Sequence, residues 1–574
     1  MKQKIKPTAF LLLLSTGLII LSACSLFTVS YQNSEKISVE HVEATGDIRY
    51  EIEITENPVD IIFSFTNVNQ YTGSETPDVA AGSITVNGRA FSAPLPVNFQ
   101  SPGDTSGTLL GFIEASTRDL VKRLAVSPMS RNTFPPHGEP VFDAVDDTQS
   151  FQVFLENSLV SQNASCKSVT GPVSTAMEDR TLNIWVADDC WWESGSTKKH
   201  YITQEMVTAL EDAFLTSGAD NDIFDWTTAI LGAEWGDTAY SKLIPFNREI
   251  TILLDDIDDD NSDNGGFVGY FWPGNNYTMA DLPESNERIM FVVDAVMYAS
   301  PSLDGSSTAA SPGDWTDTAY WPKIVFSTLA HEFQHMIHFY QKTIKANAQE
   351  DTETWINEMC SQLVEDFLAD KIGVEGPRGV LPGDGTAGSP GNTQGRLPWF
   401  NQYLFRSLIV DSPQPFDLPD YSVAYAFGAW LARNYGGVDF LNKVVTSPLS
   451  DKEAIEQAVR AYTGKDESFE RLLQRWGGAI FLSDKTQAPP LYQYNRGEWF
   501  TSVKNGIEYH LGSINLFNYD PVPEFADSPF QLSNGLTSPG SNVYLLAKEN
   551  ALGKLSWDIF VPEDVRLTVI FKGL

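Results

Sequence analysis

The sequence predicts an α+β fold, in which a mixed α/β part and a mainly helical part lie between two β-rich ends. Three observations lead to this expectation. Both ends of the chain carry short alternating runs of apolar and polar residues between Gly/Pro turns, which is the pattern of β-strands. The centre mixes such runs with apolar residues at helical spacing, and the stretch after it is mostly helical. A length of 574 residues is consistent with about three or four domains.

The first residues are predicted to be an export signal. Three lysines precede an apolar run that is too short to span a membrane. The sequence then continues Leu21-Ser22-Ala23-Cys24, which resembles the lipobox of bacterial lipoproteins, whose cysteine becomes the lipidated first residue. We therefore expect lipidation of Cys24 and a membrane-anchored protein of the bacterial cell envelope, outside the cytoplasm. Ser25 after the cysteine favours the outer membrane or the cell surface.

Composition shifts and periodicity suggest boundaries for the remaining segments. The predicted units are a signal peptide at 1–23, a tether at 24–40, an N-terminal β-sandwich-like domain at 41–148, an α/β subdomain at 149–345, a helical subdomain at 346–490, and a C-terminal β domain at 491–574.

The formal net charge of −37 argues against a nucleic-acid partner and against electrostatic attachment to anionic lipid. Within the acidic run 255–266, Asp256, Asp258 and Asp260 have the alternate spacing of a calcium loop. The sixth and twelfth loop positions lack the expected Gly and Glu. A solvated turn is therefore the favoured interpretation, and Ca2+ the alternative.

One short motif carries most of the chemical information. Residues 331–335 are His-Glu-Phe-Gln-His, in a chain with only seven histidines. Residues four apart on a helix lie on one face, so His331 and His335 can bind one zinc ion. Glu332 can then act as the base for an attacking water. The apolar flanks predict a buried helix, in which these polar groups are costly unless they are paired or metal-bound.

A catalytic zinc site uses three protein ligands, and three residues after the motif are candidates for the third. His331, His335 and His338 span about 10 Å of helix axis, so we expect His338 to be structural or to support a ligand. Glu358 is preferred, because it lies on a second predicted helix joined to the first by a short loop. Glu365, two turns further on a similar face, is the alternative.

The segment Trp355-Ile356-Asn357-Glu358 resembles the one that supplies the third zinc ligand in the gluzincin metallopeptidases. HEFQHMIHF at 331–339 looks like the active-site helix of the hyicolysin-like bacterial family. The resemblance implies a thermolysin-like catalytic domain, one catalytic Zn2+ held by His331, His335 and Glu358, and a peptide or protein substrate. Thermolysin-like enzymes brace a zinc histidine with an Asp four residues after the ligand Glu. Here that position is Gln362, so support of the metal differs.

The developing oxyanion of peptide hydrolysis needs a donor besides the metal. The segment that begins at Tyr425 resembles the Tyr-x-x-Gly-Ala segment of gluzincin aminopeptidases, which implies a catalytic role for this tyrosine. A core tyrosine is the competing interpretation. Tyr421, one turn earlier, is an alternative donor, and His510 is a remote one. The same family likeness makes 288–293 the strand that pairs with bound peptide.

These observations favour a zinc endopeptidase. The alternative is a catalytically weak zinc-binding surface protein that acts as an adhesin or binding module through its β domains. An aminopeptidase is less favoured, because no acidic segment of the kind that binds a free amine stands in the right place. Cys166 and Cys190 are candidates for a disulfide in an oxidising compartment, whereas Cys360 is expected to be a buried thiol.

Overall fold

The computed structural model describes most of the chain. The described residues are 25–31, 37–69, 84–90, 106–125, 142–155, 158–194, 196–238, 240–303, 314–404, 406–410, 416–523 and 539–573. The predicted signal peptide and Cys24 lie outside the described residues. Within these ranges, no helix has the length and apolar character needed to cross a bilayer.

Fifteen strands are described. In chain order they are β1 (Ser25–Tyr31), β2 (Ile37–Val42), β3 (Gly46–Asn67), β4 (Thr85–Val86), β5 (Arg89–Ala90), β6 (Thr148–Leu155), β7 (Ser158–Val173), β8 (Arg180–Ala187), β9 (Glu249–Asp255), β10 (Gly269–Phe271), β11 (Met290–Asp294), β12 (Phe500–Lys504), β13 (Ile507–Leu511), β14 (Asn542–Val561) and β15 (Val565–Gly573).

Eleven α-helices accompany them in the described part. They are α1 (Ser106–Ala125), α2 (Gln204–Phe214), α3 (Ile223–Leu231), α4 (Ala295–Tyr298), α5 (Tyr320–His338), α6 (Thr354–Ile372), α7 (Leu397–Gln402), α8 (Leu418–Asn434), α9 (Val438–Thr446), α10 (Lys452–Thr463) and α11 (Phe469–Phe481). A π-helical segment, Phe339–Lys345, continues directly from α5. The α and β content agrees with the mixed fold class expected from sequence.

A six-stranded sheet forms the base of the central part, in the order β10-β11-β9-β8-β7-β6. Strand β9 is parallel to both β8 and β11 and is buried along its whole length. A strand covered on both faces is expected to be continuously apolar, as Ile250–Leu254 nearly is. Strand β10 runs antiparallel to β11 at the edge of the sheet, and α5 packs against β10 and β11.

The terminal β segments differ from the prediction of two separate domains. Strands from both ends of the chain form one sheet, in the order β2-β15-β3-β14-β4-β5, with β1 beside β3. The long strands β3 and β14 pair antiparallel from Thr66 opposite Asn542 to Gly46 opposite Val561. Helix α11 packs on this sheet, where the Tyr544 hydroxyl donates to the Gly477 carbonyl at 2.5 Å. Period-2 patterning identified strands correctly but contains no information about their partners.

Helix α1 also lies inside the segment that was predicted to be purely β. Its apolar residues at helical spacing, Leu109, Leu110 and Ile113 in the first half and Leu120, Val121 and Leu124 in the second, are buried. It packs on the central part, since the Trp272 indole donates to Ser116 and the Tyr277 hydroxyl donates to the Leu120 carbonyl. The N-terminal segment therefore contributes to the central part as well as to the terminal sheet.

The three cysteines of the described residues are free, buried thiols. The candidate disulfide between Cys166 and Cys190 is not formed in this structure. Burial raises the pKa of Cys166 to about 12 and that of Cys360 likewise to about 12, which keeps both protonated.

Candidate metal centre

Helices α5 and α6 pack against each other and bring together the histidine pair and Glu358. The His331 Nε2 atom lies 3.2 Å from Glu358 Oε2, and His335 Nε2 lies 3.6 Å from Glu358 Oε1. One donor atom from each of the three residues lies within 4.8 Å of the others. Two imidazole nitrogens and one carboxylate are the His2Glu donor set of a catalytic zinc site. The donor set and its geometry therefore fit zinc.

The other ring nitrogens of the two histidines have polar partners on α6. His331 Nδ1 lies 2.8 Å from Glu365 Oε1, and His335 Nδ1 lies 3.2 Å from Asn357 Oδ1. Because a carboxylate only accepts, the His331 Nδ1–H donates to Glu365, and Nε2 is the ring nitrogen that faces Glu358. Glu365 thus contacts the Nδ1 atom of one histidine, whereas Glu358 lies near the Nε2 atoms of both. This difference distinguishes Glu365 from Glu358, the preferred candidate for the third ligand.

His338 does not join this group. Its Nδ1 lies 3.0 Å from the Gln334 amide nitrogen and its Nε2 lies 2.9 Å from the Thr352 hydroxyl. Both ring nitrogens therefore have partners within the fold, and burial lowers the pKa of His338 well below its usual value. These contacts agree with the expectation that His338 is structural or supports a ligand.

The charges at the centre favour a cation. Burial opposes charge on His331, but the carboxylates of Glu358 and Glu365 outweigh it and raise the pKa of this imidazole well above its usual value. Burial lowers the pKa of His335 to about 4, which leaves its ring neutral. Glu358 is only 2% exposed; although burial opposes its charge, the two imidazoles hold its pKa below the ordinary value. The carboxylates thus stabilise positive charge between them, as a proton or as a metal ion.

Glu332 lies on the face of α5 that contacts the edge strand β10. The Phe271 backbone NH donates to its carboxylate, and a Cβ added to Gly269 would lie 3.2 Å from Glu332 Cγ and 2.9 Å from Thr328 Cγ2. A glycine at 269 therefore permits the close approach of strand and helix. Burial, opposed by the neighbouring His331, raises the pKa of Glu332 to about 8, a value suited to taking and returning a proton near neutral pH.

Tyr425, the predicted oxyanion donor, is not brought to the centre. Its hydroxyl donates to Asp366 Oδ2 at 3.0 Å, and the Arg433 guanidinium donates to the same oxygen at 3.0 Å. All three side chains are buried, so Tyr425 is a core tyrosine in a polar network. The packing of α8 against α6 instead places the preceding turn, with Tyr421, near His331.

Tyr421, the alternative, lies at the centre. Its ring centroid is 6.4 Å from that of His331, and the Arg396 guanidinium lies 5.4 Å from its ring centroid. Burial and the carboxylate of Glu358 raise the pKa of Tyr421 well above its usual value, so its hydroxyl keeps the proton that a donor needs. His510, the remote candidate, lies on β13, where its ring contacts Thr501 and Glu508 instead.

A cavity of about 60 Å³ adjoins the metal centre. His335 and Glu358 contribute to one side, Phe271 of β10 to another, and Ile113 and Glu114 of α1 to a third. Sequence analysis missed this contribution of α1, although the spacing of its apolar residues was a usable sign of a helix.

A second group of metal-capable side chains lies elsewhere in the described part, at Asp189, Cys190 and Asp255. The Lys198 ammonium lies 3.1 Å from Asp189 Oδ2 and 2.6 Å from Oδ2 of the neighbouring Asp256, so a cation already balances the Asp189 carboxylate of this group. In the acidic run 255–266, for which a solvated turn was the favoured interpretation, Asp256 accepts from the Asn261 backbone and Asp260 from the Ser262 backbone. These contacts describe a turn after β9, and calcium stays an untested alternative.

Residues 166–377 match the family model described as Peptidase M30. Over this stretch the chain is similar to the M30 metallopeptidases. The match includes the histidine pair, Glu332, Glu358 and Glu365, whereas Tyr421 lies beyond it. Neutral metalloprotease ShpI of Staphylococcus hyicus is 24% identical over 330 residues, which are 56% of this chain and 61% of that protein. The chain thus spans about three fifths of the length of this relative. The predicted resemblance to hyicolysin-like zinc metallopeptidases is confirmed.

Two solved structures of an M1 zinc metallopeptidase from Deinococcus radiodurans, one of them a mutant, are also similar. The mutant is 11% identical with a TM-score of 0.29 and aligns with 60% of this chain and 63% of its own. The other is 9% identical with a TM-score of 0.25 and aligns with 78% of this chain and 66% of its own. Likeness at this level carries no argument about this chain.

Proposed function

We propose that this protein is a zinc-dependent endopeptidase with a thermolysin-like active site. The observation that carries the proposal is the orientation of the two imidazoles, whose Nε2 atoms face the Glu358 carboxylate while their Nδ1 atoms have partners on α6. His331, His335 and Glu358 would hold the ion. When bound, zinc supplies Lewis-acid chemistry, because it lowers the pKa of water and polarises a carbonyl.

Glu332 is the proton carrier in this proposal. It removes a proton from the attacking water and returns it to the leaving amine. Its burial at 5% exposure keeps bulk water from competing for the proton, and the Phe271 backbone NH fixes the carboxylate. Both features orient the base without needing a flexible element.

The substrate backbone is proposed to pair with β10. Strand β11, which overlaps the segment 288–293 that family likeness suggested, has β10 on one side and β9 on the other. Its backbone groups are therefore already paired. Strand β10 lies at the edge of the described sheet and next to Glu332, so a peptide added there would pass the metal centre.

Removal of metal is the experiment that tests the function. Purified protein is incubated with a library of unstructured peptides, and zinc is measured on the same sample. We expect internal cleavage that a strong chelator abolishes and that one equivalent of zinc restores. Cleavage that survives complete zinc removal, or the absence of turnover by zinc-loaded protein, would contradict the proposal. The second outcome would favour the alternative of a zinc-binding surface protein without catalysis.

Tyr421 is proposed as the oxyanion donor, in place of Tyr425. Tyr421→Phe removes the hydroxyl of the ring that lies next to His331 and should lower kcat by about 10²- to 10³-fold, the usual loss for one oxyanion donor, with little change in unfolding free energy. Tyr425→Phe is the matched control. It removes a donor to buried Asp366, so the free energy of unfolding should fall by about 1–3 kcal/mol while kcat stays near the parent value. A large loss of kcat in Tyr425→Phe, with kcat near the parent value in Tyr421→Phe, would instead assign the role of oxyanion donor to Tyr425.

Export and lipid anchoring are a further part of the proposal, and they rest on sequence alone. The apolar run followed by Leu21-Ser22-Ala23-Cys24 supports lipidation of Cys24 and a site of action on the outer side of a bacterial membrane. Metabolic labelling with a radioactive fatty acid tests it. Label that persists in a Cys24→Ala variant, or never enters the parent, would count against the anchor.

A further inference from the structure

Both carboxylate oxygens of Glu365 accept hydrogen bonds from other residues of the chain. Oε1 lies 2.8 Å from His331 Nδ1, and the Gln362 amide donates to the same oxygen at 2.9 Å. The Ser327 hydroxyl of α5 donates to Oε2 at 2.6 Å. The carboxylate is thus held by three donors from two helices, and one of them is the imidazole of a proposed zinc ligand.

Gln362 is itself held in place. Its amide oxygen accepts from Arg396 Nε at 3.1 Å, and the amide nitrogen is then directed at Glu365. Arg396 also lies over the Tyr421 ring. One connected set of contacts therefore runs from Arg396 through Gln362 and Glu365 to His331.

We propose that Glu365 is the positioning residue for the zinc ligand His331, and that Gln362 is present to orient Glu365. The inference rests on the proposed zinc site and deepens it. A carboxylate that accepts from Nδ1–H fixes the ring orientation and the tautomer, and it raises the basicity of Nε2 toward the metal. The carboxylate that supports the histidine is thus at position 365 of α6, three residues after position 362, where thermolysin-like enzymes have an Asp.

This arrangement predicts that a carboxylate at position 362 has the opposite effect on metal binding from the one that the family pattern suggests. A carboxylate there restores the family's residue type and, on family resemblance alone, should strengthen metal binding. In this structure it would remove the amide donor from Glu365 Oε1 and place a second negative charge beside it. Like charges at such a distance repel. Gln362→Glu should therefore weaken zinc binding.

The experiment measures zinc affinity of metal-free protein by competition with a chromophoric chelator, which is independent of catalysis. Glu365→Gln keeps the shape of the side chain and should weaken zinc binding by about 10- to 100-fold, the usual loss for such a partner. Gln362→Glu should also bind zinc more weakly than the parent. Glu375→Gln is the matched control, because Glu375 pairs with Lys323 of α5 rather than with a histidine, and its affinity should equal the parent's.

Thermal unfolding of the metal-free forms establishes which variants are folded, and Gln362→Glu remains informative if Glu365→Gln is not. Affinity of Glu365→Gln within twofold of the parent, or tighter binding by Gln362→Glu, would overturn the inference. A parent that binds no zinc would instead overturn the proposed function, so the two failures are distinguishable.

Discussion

Glu332→Gln should lower peptide turnover to between about one hundredth and one ten-thousandth of the parent value, which is the typical contribution of a positioned general base. The amide has nearly the shape of the carboxylate but cannot take a proton from water. Because Glu332 donates no atom to the group formed by His331, His335 and Glu358, zinc affinity should be close to that of the parent. The expected variant is therefore folded, zinc-loaded and inactive.

The comparison needs kcat and zinc content from the same preparation. Loss of both together would mean that the variant damages the metal centre and says nothing about proton transfer. Turnover equal to the parent's, with one zinc bound, would remove Glu332 from the mechanism.

Glu358→Ala should have the largest effect on the metal. It removes the only carboxylate of the proposed donor set and leaves His331 and His335 without a partner at their Nε2 atoms. Loss of an outer hydrogen-bond partner lowers metal affinity by about 10- to 100-fold. The zinc affinity of Glu358→Ala should fall by more than this, so this variant should bind zinc more weakly than Glu365→Gln. The measurement is the same chelator competition, with activity at saturating zinc as a second readout.

An equal loss in Glu358→Ala and Glu365→Gln would mean that the two carboxylates share one role. A smaller loss in Glu358→Ala would favour Glu365 as the third ligand and would contradict the geometry of the two imidazoles. This ranking therefore tests the assignment of inner and outer carboxylates on α6.

The sequence was most informative where chemistry depends on local spacing. The four-residue separation of His331 and His335 defines one helix face whatever the rest of the fold does. The following Trp-Ile-Asn-Glu segment predicted Glu358 as the third ligand. The structure brings its carboxylate close to both histidines and adds Asn357 as the partner of His335. The first statement depends on a single helix and the second on the resemblance to the gluzincin segment, which is why both could be made without coordinates.

Statements that depend on how elements pack could not be made in the same way. Tyr421 and Tyr425 share one face of α8, and only the position of α8 against α6 decides which of them reaches His331. The partner of His331 Nδ1 likewise depends on an interhelical contact, with Glu365. From sequence alone, Gln362 was a departure from the thermolysin pattern, whereas in the structure its amide donates to the Glu365 carboxylate.

The terminal sheet shows the same limit at larger scale. The Thr66 hydroxyl donates to the Asn542 side chain at 2.6 Å, although the two residues are 476 positions apart in the chain. Alternating runs at both ends of the chain indicated strands, but pairing across such a distance leaves no local sign. The two β-rich ends were therefore predicted as independent domains, whereas strands from both ends form one sheet.

X-ray absorption at the zinc edge tests the central claim most directly, because it reports the atoms that surround the ion. The protein is purified with one equivalent of zinc. The account predicts a first shell of nitrogen and oxygen at about 2.0–2.2 Å, with the multiple scattering of two imidazoles and no sulfur. A sulfur shell at about 2.3 Å would place the ion at a cysteine and contradict a site made by His331, His335 and Glu358.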